Sequence, residues 1–418
     1  MISRIKGTQD FLDLSLYNFI IDQAKDHFGA YHFDEISTPI LEPVELFHRS
    51  LGEHTDVVTK EMFIIQKHAE SSENICLRPE PTASTMRAFV ENGVQVTPWK
   101  VFSHGSMFRY ERPQKGRFRE FHQIDVEVIG AQSVSHDVQL ITMLERFFSE
   151  KLQLDTFALA INYLGCASDR EKYREKLYAF LTSKKAEGIC DNCQVRREKN
   201  IMRVFDCKNP KCQEIYLKAP KIIEHMCAAC NQEWQALQDQ LQLLSVSFVV
   251  RPTLVRGLDY YSKTVFEFMS DDLGAQNAFC GGGRYDQLAK EFGAKQDYPS
   301  IGAGIGLERL MLLLENKKAQ LAITQPKAVH VVMPLAAAQH TLALMIADTL
   351  LAAGLCTDVL LEQDSIKSMM RQANRMGAAY ALLLGETEQQ EKTVTIKNMI
   401  TGTQETIKQI ELVNYLKR

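Results

Sequence analysis

The chain has 418 residues, and at about 150 residues per domain this length predicts two or three domains. It carries 48 basic and 52 acidic residues, for a formal charge of −4, with 45% hydrophobic and 24% charged residues. This composition is globular and excludes a disordered or fibrous protein. It also excludes a uniformly basic surface, so any nucleic acid must bind through local basic patches.

Membrane insertion and disulfide stapling are not indicated by the sequence. No apolar run reaches the roughly 18 to 20 residues that cross a bilayer, and the amino terminus lacks a signal-peptide pattern. We therefore expect a cytoplasmic protein with no membrane contact. Ten cysteines in such a chain are better explained as reduced thiols or metal ligands than as a disulfide framework.

The first part of the chain mixes helix and strand patterns. Apolar residues recur at helical spacing over residues 16–28 and 134–152. Strand-like segments at 99–108 and 121–128 flank a basic, turn-rich loop and predict a hairpin, and a further strand is expected at 156–161.

Apolar and polar residues alternate in the second strand of this hairpin. One face carries Ile124, Val126 and Val128, and the other carries Gln123, Asp125 and Glu127. A polar row of this kind lies either on an ordinary solvent-facing side or on the wall of a wet cavity. The alternation alone favours the solvent-facing interpretation.

The pattern changes after residue 165. Residues 166–250 are helical in pattern, rich in Lys and Glu, and contain three cysteine pairs, which indicates an inserted domain. A strand at 263–269 is followed by GGGRYD at 281–286, which alone is equally typical of a plain turn, and by a glycine-rich helix start at 302–315. Beyond residue 325, alternating strands and helices predict a compact α/β domain of roughly 90 residues.

Arginines are concentrated around the hairpin loop and the glycine-rich segments. They are Arg109, Arg112, Arg117, Arg119, Arg256 and Arg309. A nucleotide site needs several such groups, because the guanidinium fork binds phosphate oxygens through paired hydrogen bonds. Each arginine alone is better explained by a solvated surface position, and the phosphate-loop motif is absent from the sequence. RGLDYY at 256–261 is similarly open between a binding site and a structural cluster.

Several segments resemble the three motifs of class II aminoacyl-tRNA synthetases. Motif 1 is resembled by YHFDEISTPILEPVELFHRSLGE (31–53), motif 2 by FRYERPQKGRFREFHQIDVEVIG (108–130) and motif 3 by GIGLERLMLLLE (304–315). Two further segments, LVRGLDYYSKTVFEF (254–268) and FCGGGRYDQLAKEFG (279–293), are similar to segments particular to histidyl-tRNA synthetases of the bacterial type. The resemblance extends over nearly the whole chain.

This resemblance implies a multidomain protein of mixed α/β and α+β class. Its catalytic domain is built on an antiparallel sheet, carries a helical insertion and is followed by an α/β anticodon-binding domain. The implied parts are the catalytic core at 1–165 and 251–325, the insertion at 166–250 and the anticodon-binding domain at 326–418. Because motif 1 of class II enzymes forms much of a two-fold interface, a homodimer is also implied.

The implied reaction joins L-histidine to tRNA(His). ATP first activates histidine to histidyl-adenylate with release of pyrophosphate, and transfer to the tRNA then releases AMP. Mg²⁺ is implied on the β- and γ-phosphates of ATP, and no protein general base is implied. The alternatives are a catalytically silent regulator and a class II synthetase of the prolyl, threonyl or glycyl type. The retained family-specific segments argue against both.

Matching positions imply roles for individual side chains. The catalytic arginines are Arg109, Arg256 and Arg309, and the ATP-binding set adds Glu111 and Arg119. The residues implied to bind histidine are Glu80, Thr82, Gln123, Glu127, Tyr260, Tyr261 and Tyr285. The resemblance leaves the role of Asp125 open.

Two features of the insertion lie outside this pattern. Its cysteines form CxxC, CxxxxC and CxxC pairs, namely Cys190 and Cys193, Cys207 and Cys212, and Cys227 and Cys230. The two CxxC pairs together would give a zinc site of four thiolates, in which the middle pair takes no part. Alternatively, the middle pair replaces one CxxC pair in such a site, or all six cysteines are reduced thiols in a small core. Residues 184–221 contain ten basic and five acidic residues, which suits either the tRNA acceptor arm or a solvated surface.

Overall fold

A computed structural model describes residues 2–52, 55–65, 74–274, 277–324, 327–362 and 365–417. The chain divides into two compact units, residues 1–323 and 324–418. Positions 325 and 326, where the sequence predicts the last domain boundary, lie outside the described residues, as does the end of the motif 1 segment at Glu53. Within the described ranges, no helix is long and apolar enough to cross a membrane.

An eight-stranded sheet forms the framework of the first unit. In chain order its strands are β1 (Asp34–Glu35), β5 (Trp99–Phe108), β6 (Glu120–Ile129), β7 (Ala158–Tyr163), β8 (Val249–Val250), β9 (Ser262–Met269), β10 (Ala278–Arg284) and β11 (Ser300–Gly306). The spatial order is β1-β5-β6-β11-β10-β9-β7-β8. The six central strands are antiparallel, and each outermost strand runs parallel to its neighbour. The predicted hairpin is therefore confirmed as β5 and β6.

A smaller sheet and several helices complete this unit. The sheet is antiparallel, with β2 (Leu41–Pro43) and β3 (Phe63–Ile64) on either side of β4 (Ile75–Leu77). The helices outside the insertion are α1 (Ser15–Ala30), α2 (Val44–Leu51), α3 (Thr82–Glu91), α4 (Ser135–Arg146), α9 (Leu288–Glu291) and α10 (Leu307–Leu314).

The two faces of the large sheet differ in character. Ile124, Val126 and Val128 pack into the main hydrophobic core with apolar residues of α1, α4 and α10. On the opposite face Asp125 and Glu127 are each only 2% exposed. The solvent-facing interpretation of this polar row is therefore wrong. Alternation identifies the two faces of a strand, but it does not reveal what covers the polar one.

GGGR is part of strand β10, so its interpretation as a plain turn is also wrong. The glycines are needed for space. A Cβ on Gly281 would lie 2.4 Å from a guanidinium nitrogen of Arg256, and one on Gly282 would lie 2.2 Å from the carbonyl oxygen of Gly302. The bare backbone lets the Arg256 side chain and the neighbouring strand β11 lie directly against β10.

The insertion is helical, as predicted. Its helices are α5 (Ala167–Leu181), α6 (Asp191–Lys199), α7 (Pro210–Leu217) and α8 (Ala228–Leu243). A separate small core joins buried residues between Tyr173 and Ile222. In contrast, Trp234, Leu237 and Leu241 of α8 belong to the main core of the first unit. The part with its own core is therefore shorter than the compositional change at residues 166–250 indicates.

The second unit is a five-stranded sheet with helices. The strands are β12 (Val329–Pro334), β13 (Thr357–Val359), β14 (Ala378–Leu384), β15 (Thr393–Asn398) and β16 (Gln404–Lys408), in the order β13-β12-β14-β15-β16. The first three are parallel and the last two antiparallel to their neighbours. Helices are α11 (His340–Ala352), α12 (Ile366–Arg375), α13 (Glu386–Glu391) and α14 (Leu412–Leu416). The sequence predicts these strands except β16, a largely exposed strand without an apolar run.

Candidate active site

A polar cavity of about 320 Å³ lies on the glycine-bearing face of the large sheet. Its floor is made by glycines of β10 and β11, where a side chain would fill the space. Four guanidinium groups line it, those of Arg109, Arg117, Arg256 and Arg309. They come from the hairpin, the RGLDYY segment and α10, so the fold brings together arginines that are distant in the sequence. Arg112 is exposed and does not line the cavity.

Arg109 and Arg309 are held in place by backbone carbonyls. Arg109 donates from Nε to the carbonyl oxygen of Pro79 at 2.9 Å, and its guanidinium lies 5.4 Å from the Phe121 ring centroid. Arg309 donates from Nε to the carbonyl oxygen of Gly116 at 3.1 Å and also hydrogen-bonds the carbonyl oxygen of Ala278. These contacts position both cations before a ligand arrives.

The positive charges in this cavity repel one another. Burial, together with the charges of Arg117 and Arg109, lowers the pKa of Arg309 to about 10. A shift in this direction means that the protonated guanidinium is less stable here than in water. An anion bound among these groups would remove that penalty, so the cavity is built to receive negative charge.

Arg256, like Arg117, has a carboxylate partner. It forms an ion pair with Glu267, and its guanidinium lies 5.8 Å from the Tyr261 ring centroid. Burial alone would lower the pKa of Arg256, but the combined electrostatic contributions of Glu267, Tyr261 and Tyr260 outweigh burial and raise the pKa. Glu267 is a site residue that the motif comparison missed. The sequence signal that could have identified Glu267 is its position as an acidic residue within the predicted strand at 263–269.

The hairpin loop closes one side of the cavity. Glu111 lines it and is ion-paired with Arg117. Arg119 donates from Nε to the carbonyl oxygen of Glu111 at 3.3 Å, and its guanidinium stacks 3.8 Å from the Tyr110 ring centroid. Arg119 therefore supports the loop and does not itself line the cavity. Lys208 of the insertion does line it, and sequence reasoning missed this residue.

A second polar group of side chains begins at the start of α3. The Glu80 carboxylate accepts the backbone N–H groups of Thr82 and Ala83, both at 2.9 Å, and so caps the helix. The Tyr260 hydroxyl donates to Glu80 at 3.4 Å. Burial raises the pKa of Glu80. These contacts hold the Glu80 carboxylate inside the protein, where its oxygens can still accept further hydrogen bonds.

Glu127 is a second buried carboxylate of this group. It accepts hydrogen bonds from the Thr82 hydroxyl, at 2.7 Å, and from the Tyr285 hydroxyl. Burial raises the pKa of Glu127 to about 8, despite these two donors. Gly302 makes room for it, because a Cβ there would lie 1.5 Å from Oε2 of Glu127.

Gln123 and Asp125 extend the polar row along β6. Gln123 lines the arginine cavity. The Gln123 Oε1 and Asp125 Oδ2 atoms are buried with no hydrogen-bond partner among the described residues. Burial and the charges of Glu127 and Glu80 hold the pKa of Asp125 well above its usual range. Buried acceptors without partners mark a place where a ligand carrying donors would be stabilised.

Three tyrosines enclose this acidic group. The Tyr260 ring centroid lies 4.6 Å from that of Tyr261 and 5.6 Å from that of Tyr285, the latter edge to face. Burial raises the pKa of all three hydroxyls, so they remain protonated donors at neutral pH. All seven residues that the resemblance places around histidine therefore belong to, or lie beside, one buried acidic cluster, here termed the acidic pocket, which adjoins the arginine cavity at Gln123.

The comparisons with known proteins agree with this architecture. The family model described as "Histidyl-tRNA synthetase" matches residues 16–310, which is more than half of the chain. The chain belongs to the histidyl-tRNA synthetase family. It is accordingly a class II ligase that attaches histidine to tRNA at the expense of ATP. The model described as "Anticodon binding domain" matches residues 330–418, which confirms the expectation for the second unit.

Individual relatives match over nearly their full length. "Histidine--tRNA ligase" of Oleidesulfovibrio alaskensis is 41% identical over 97% of both chains. The protein of the same description from Halothermothrix orenii is 40% identical over 99% of this chain and 98% of the relative. The crystal structure of apo S. aureus histidyl-tRNA synthetase superimposes with a TM-score of 0.81 at 31% identity, covering 100% of both chains. The predicted fold class is thereby confirmed.

The six paired cysteines lie in the insertion and its junction with α8, in two groups. Cys190, Cys193, Cys207 and Cys212 form one group. Cys227 and Cys230 join Cys166 and Asp169 in the other. The prediction that the two CxxC pairs share one site is therefore wrong. The alternative, in which the middle pair Cys207 and Cys212 takes the place of the second CxxC pair, describes the first group.

Proposed function

We propose that the arginine cavity binds ATP and that the adjoining acidic pocket binds histidine, so that the carboxylate of histidine meets the α-phosphorus of ATP between them. The observation that carries this assignment is the convergence of four guanidinium groups beside a cluster of buried carboxylates. A triphosphate needs the first environment, whereas an ammonium and an imidazole need the second. Each half is chemically unsuited to the other ligand.

Arg109 has the central position in this arrangement. It lines the ATP cavity, and its charge also acts on Glu80 of the histidine pocket. We assign it to the α-phosphate and to the attacking carboxylate, two anions that repel each other unless a cation lies between them. Catalysis by such a group is electrostatic: a fixed charge stabilises the developing transition state without reorganisation.

Arg256 and Arg309 are assigned to the remaining phosphate oxygens. Arg256, anchored by Glu267, would sit beside the α-phosphate, and Arg309 along the triphosphate towards its γ end. Because Arg309, unlike Arg256, lacks a carboxylate partner among the described residues, it has more to gain than Arg256 from the bound anion. Glu111 and Arg119 are assigned to ATP through the loop that they hold together.

Histidine is recognised by its two basic groups. Glu80, Thr82 and Gln123 are assigned to the α-ammonium, and Glu127, Tyr261 and Tyr285 to the imidazole, with Tyr260 closing the pocket. An apolar amino acid would leave these buried polar groups unpaired, at about 1 to 3 kcal/mol for each group. We assign the proton released during transfer to a phosphate oxygen of the adenylate and not to a side chain.

Mg²⁺ would be held mainly by the triphosphate itself. Three carboxylates line the ATP cavity, Glu111, Glu267 and Glu308. The first two are paired with arginines, and Glu308 accepts from the ring and backbone nitrogens of His122. These oxygen donors suit Mg²⁺ in chemical type, and their existing partners leave the phosphates as its principal ligands. When bound, the ion neutralises charge on the β- and γ-phosphates.

The wider assignment includes tRNA(His) as partner of both units, a homodimer formed through the motif 1 region, and a cytoplasmic location. Sedimentation equilibrium tests the dimer, since a mass of one chain at micromolar concentration contradicts it. The basic segment 184–221 is assigned to the acceptor arm of the tRNA. If that is right, charging should weaken with added salt more steeply than adenylate formation does.

The decisive experiment is pyrophosphate exchange with each of the twenty amino acids, followed by charging of purified tRNA. We expect exchange with histidine alone. Exchange with proline, threonine or glycine would instead identify another class II specificity. Absence of exchange from a folded protein would favour a regulatory relative.

A further inference from the structure

The four sulfurs of Cys190, Cys193, Cys207 and Cys212, here termed the four-cysteine group, all lie within 4.8 Å of one another. The sulfurs of Cys190 and Cys207 are 3.7 Å apart. In a tetrahedral zinc site with Zn–S bonds of about 2.3 Å, neighbouring sulfurs are about 3.8 Å apart. A disulfide would require about 2.05 Å, and these cysteines are free thiols. The spacing therefore matches metal ligation and not a covalent bond.

The surrounding backbone supports thiolate ligands. The N–H of Cys190 donates to the sulfur of Cys212 at 3.3 Å, and the N–H of Asn209 donates to that of Cys207 at 3.4 Å. Cys190 immediately precedes α6, and Cys212 lies in the first turn of α7. Helix amino termini and N–H donors both stabilise negative charge on sulfur, as the outer contacts of metal sites do.

Packing gives a reason for a metal at this place. The four-cysteine group belongs to the small core between Tyr173 and Ile222, apart from the main core. The helices around it, α6 and α7, have only nine and eight residues. Helices this short are marginal alone, and a core this small is commonly stabilised by a metal or disulfides.

The chain between the ligands contacts the catalytic core. Between Cys193 and Cys207, the Asn200 side chain donates to Asp259 at 2.6 Å, and Arg203 donates to the carbonyl oxygen of Gly257. Directly after Cys207, Lys208 lines the arginine cavity. Fixing the four sulfurs would therefore also fix residues 200–208 against RGLDYY and beside the cavity.

We propose that the four-cysteine group binds one structural zinc ion, and that this ion holds residues 200–208 against the active site. The ligands would be four thiolates in a closed tetrahedron, with no open position for water or substrate. The ion would thus organise the insertion without taking part in the reaction. The second half of the proposal rests on the function proposed above, whereas zinc binding does not.

Zinc content of the full-length protein, purified without chelators, tests the first half. Mass spectrometry should find at least about one equivalent per chain, and less than about a tenth would overturn the proposal. The Cys212→Ser variant should lose about one equivalent relative to the parent, whereas Cys356→Ser, an exposed cysteine of the second unit, should lose none. Unchanged zinc in Cys212→Ser would overturn the assignment.

The other group of potential ligands must be separated from this one. Cys227→Ser removes an exposed thiol of that group and should still retain zinc. X-ray absorption of this variant should show four sulfur neighbours at about 2.3 Å, a measurement that does not depend on whether Cys212→Ser folds. Fewer sulfurs, or complete loss of zinc from Cys227→Ser, would contradict the four-cysteine assignment.

Hydrogen exchange tests the second half without relying on activity. Removing zinc from the purified enzyme with a chelator should accelerate amide exchange in residues 200–208 more than in the second unit, and re-adding zinc should restore protection. Unchanged exchange in a protein that has lost its zinc would overturn the positioning role and leave zinc binding intact. Histidine-dependent pyrophosphate exchange on the same samples tests the proposed function separately.

Discussion

Glu127→Gln is the most informative substitution for the histidine pocket, because it removes a titrating group and keeps the shape of the side chain. Glu127 is buried and accepts from the Thr82 and Tyr285 hydroxyls. The structure raises its pKa from 4.5 to about 8, chiefly through burial. In the empty protein at neutral pH this carboxyl is therefore largely protonated, whereas in the unfolded chain it is ionised.

The consequence for stability follows from proton linkage. Between pH 4.5 and about 8 the folded state holds one proton that the unfolded state releases. A pKa raised in the folded state gives a contribution to stability that is full below the unfolded pKa and is lost as the pH rises through the folded pKa. One such group lowers the free energy of unfolding by up to about 1.4 kcal/mol per pH unit in this window. Glutamine removes this contribution.

The assay is urea unfolding of the parent and of Glu127→Gln at pH 5, 6, 7 and 8, without ligands. All other titrating groups are shared, so the difference between the two proteins isolates Glu127. We expect the free energy of unfolding of the parent, measured relative to that of Glu127→Gln, to fall by about 1 kcal/mol for each unit of rising pH. Glu120→Gln, half-buried at the start of the same strand, is the matched control and should track the parent. Parallel pH profiles for parent and Glu127→Gln would refute the reasoning.

Three further substitutions test other parts of the proposed site and a buried ion pair of the first unit. Arg256→Lys keeps the positive charge but loses the forked guanidinium group. It should lower histidine-dependent pyrophosphate exchange by about 10²- to 10³-fold at saturating ATP. A near-parental rate would contradict the role assigned to Arg256. Gly302→Ala places a Cβ 1.5 Å from the Glu127 carboxylate and should raise the KM for histidine at least about tenfold, with KM for ATP as the internal control. Asp137→Asn breaks a buried ion pair in which Asp137 is 0% and Arg284 3% exposed, and should cost about 3 to 5 kcal/mol of unfolding free energy. A loss below about 1 kcal/mol would show that the pair is not important for stability.

The order of elements was readable from local patterns. Period-two alternation located β6, and helical spacing located α1, because both elements bury one continuous apolar face in the main core. The arginines and the pocket residues were identified by resemblance and not by spacing. Singly, Arg109 or Arg309 is indistinguishable from a surface arginine, and only the closed sheet shows them lining one cavity.

Features that depend on contacts distant in sequence could not be predicted. GGGR was ambiguous because glycine serves both turns and crowded strands, and the clash at Gly281 involves a side chain from the RGLDYY segment. The grouping of the cysteines was open for a similar reason. Cys166, which belongs to the second group, precedes its two cysteine partners by some sixty residues of chain and forms no local motif with them.

The site holds basic and acidic side chains in surroundings that destabilise the charged form of each. Burial, with a further contribution from repulsion by neighbouring arginines, depresses the pKa of Arg309, while burial raises the pKa of Glu80 and Glu127. Both shifts have the same physical cause: within the protein, each group lacks the water or counter-ion that would stabilise its charged form. In the assignment proposed above, the triphosphate brings negative charge to the arginines and histidine brings positive charge to the carboxylates. Specificity and activation would then share one source, because only a ligand pair with both charge patterns satisfies the two halves of the site at once.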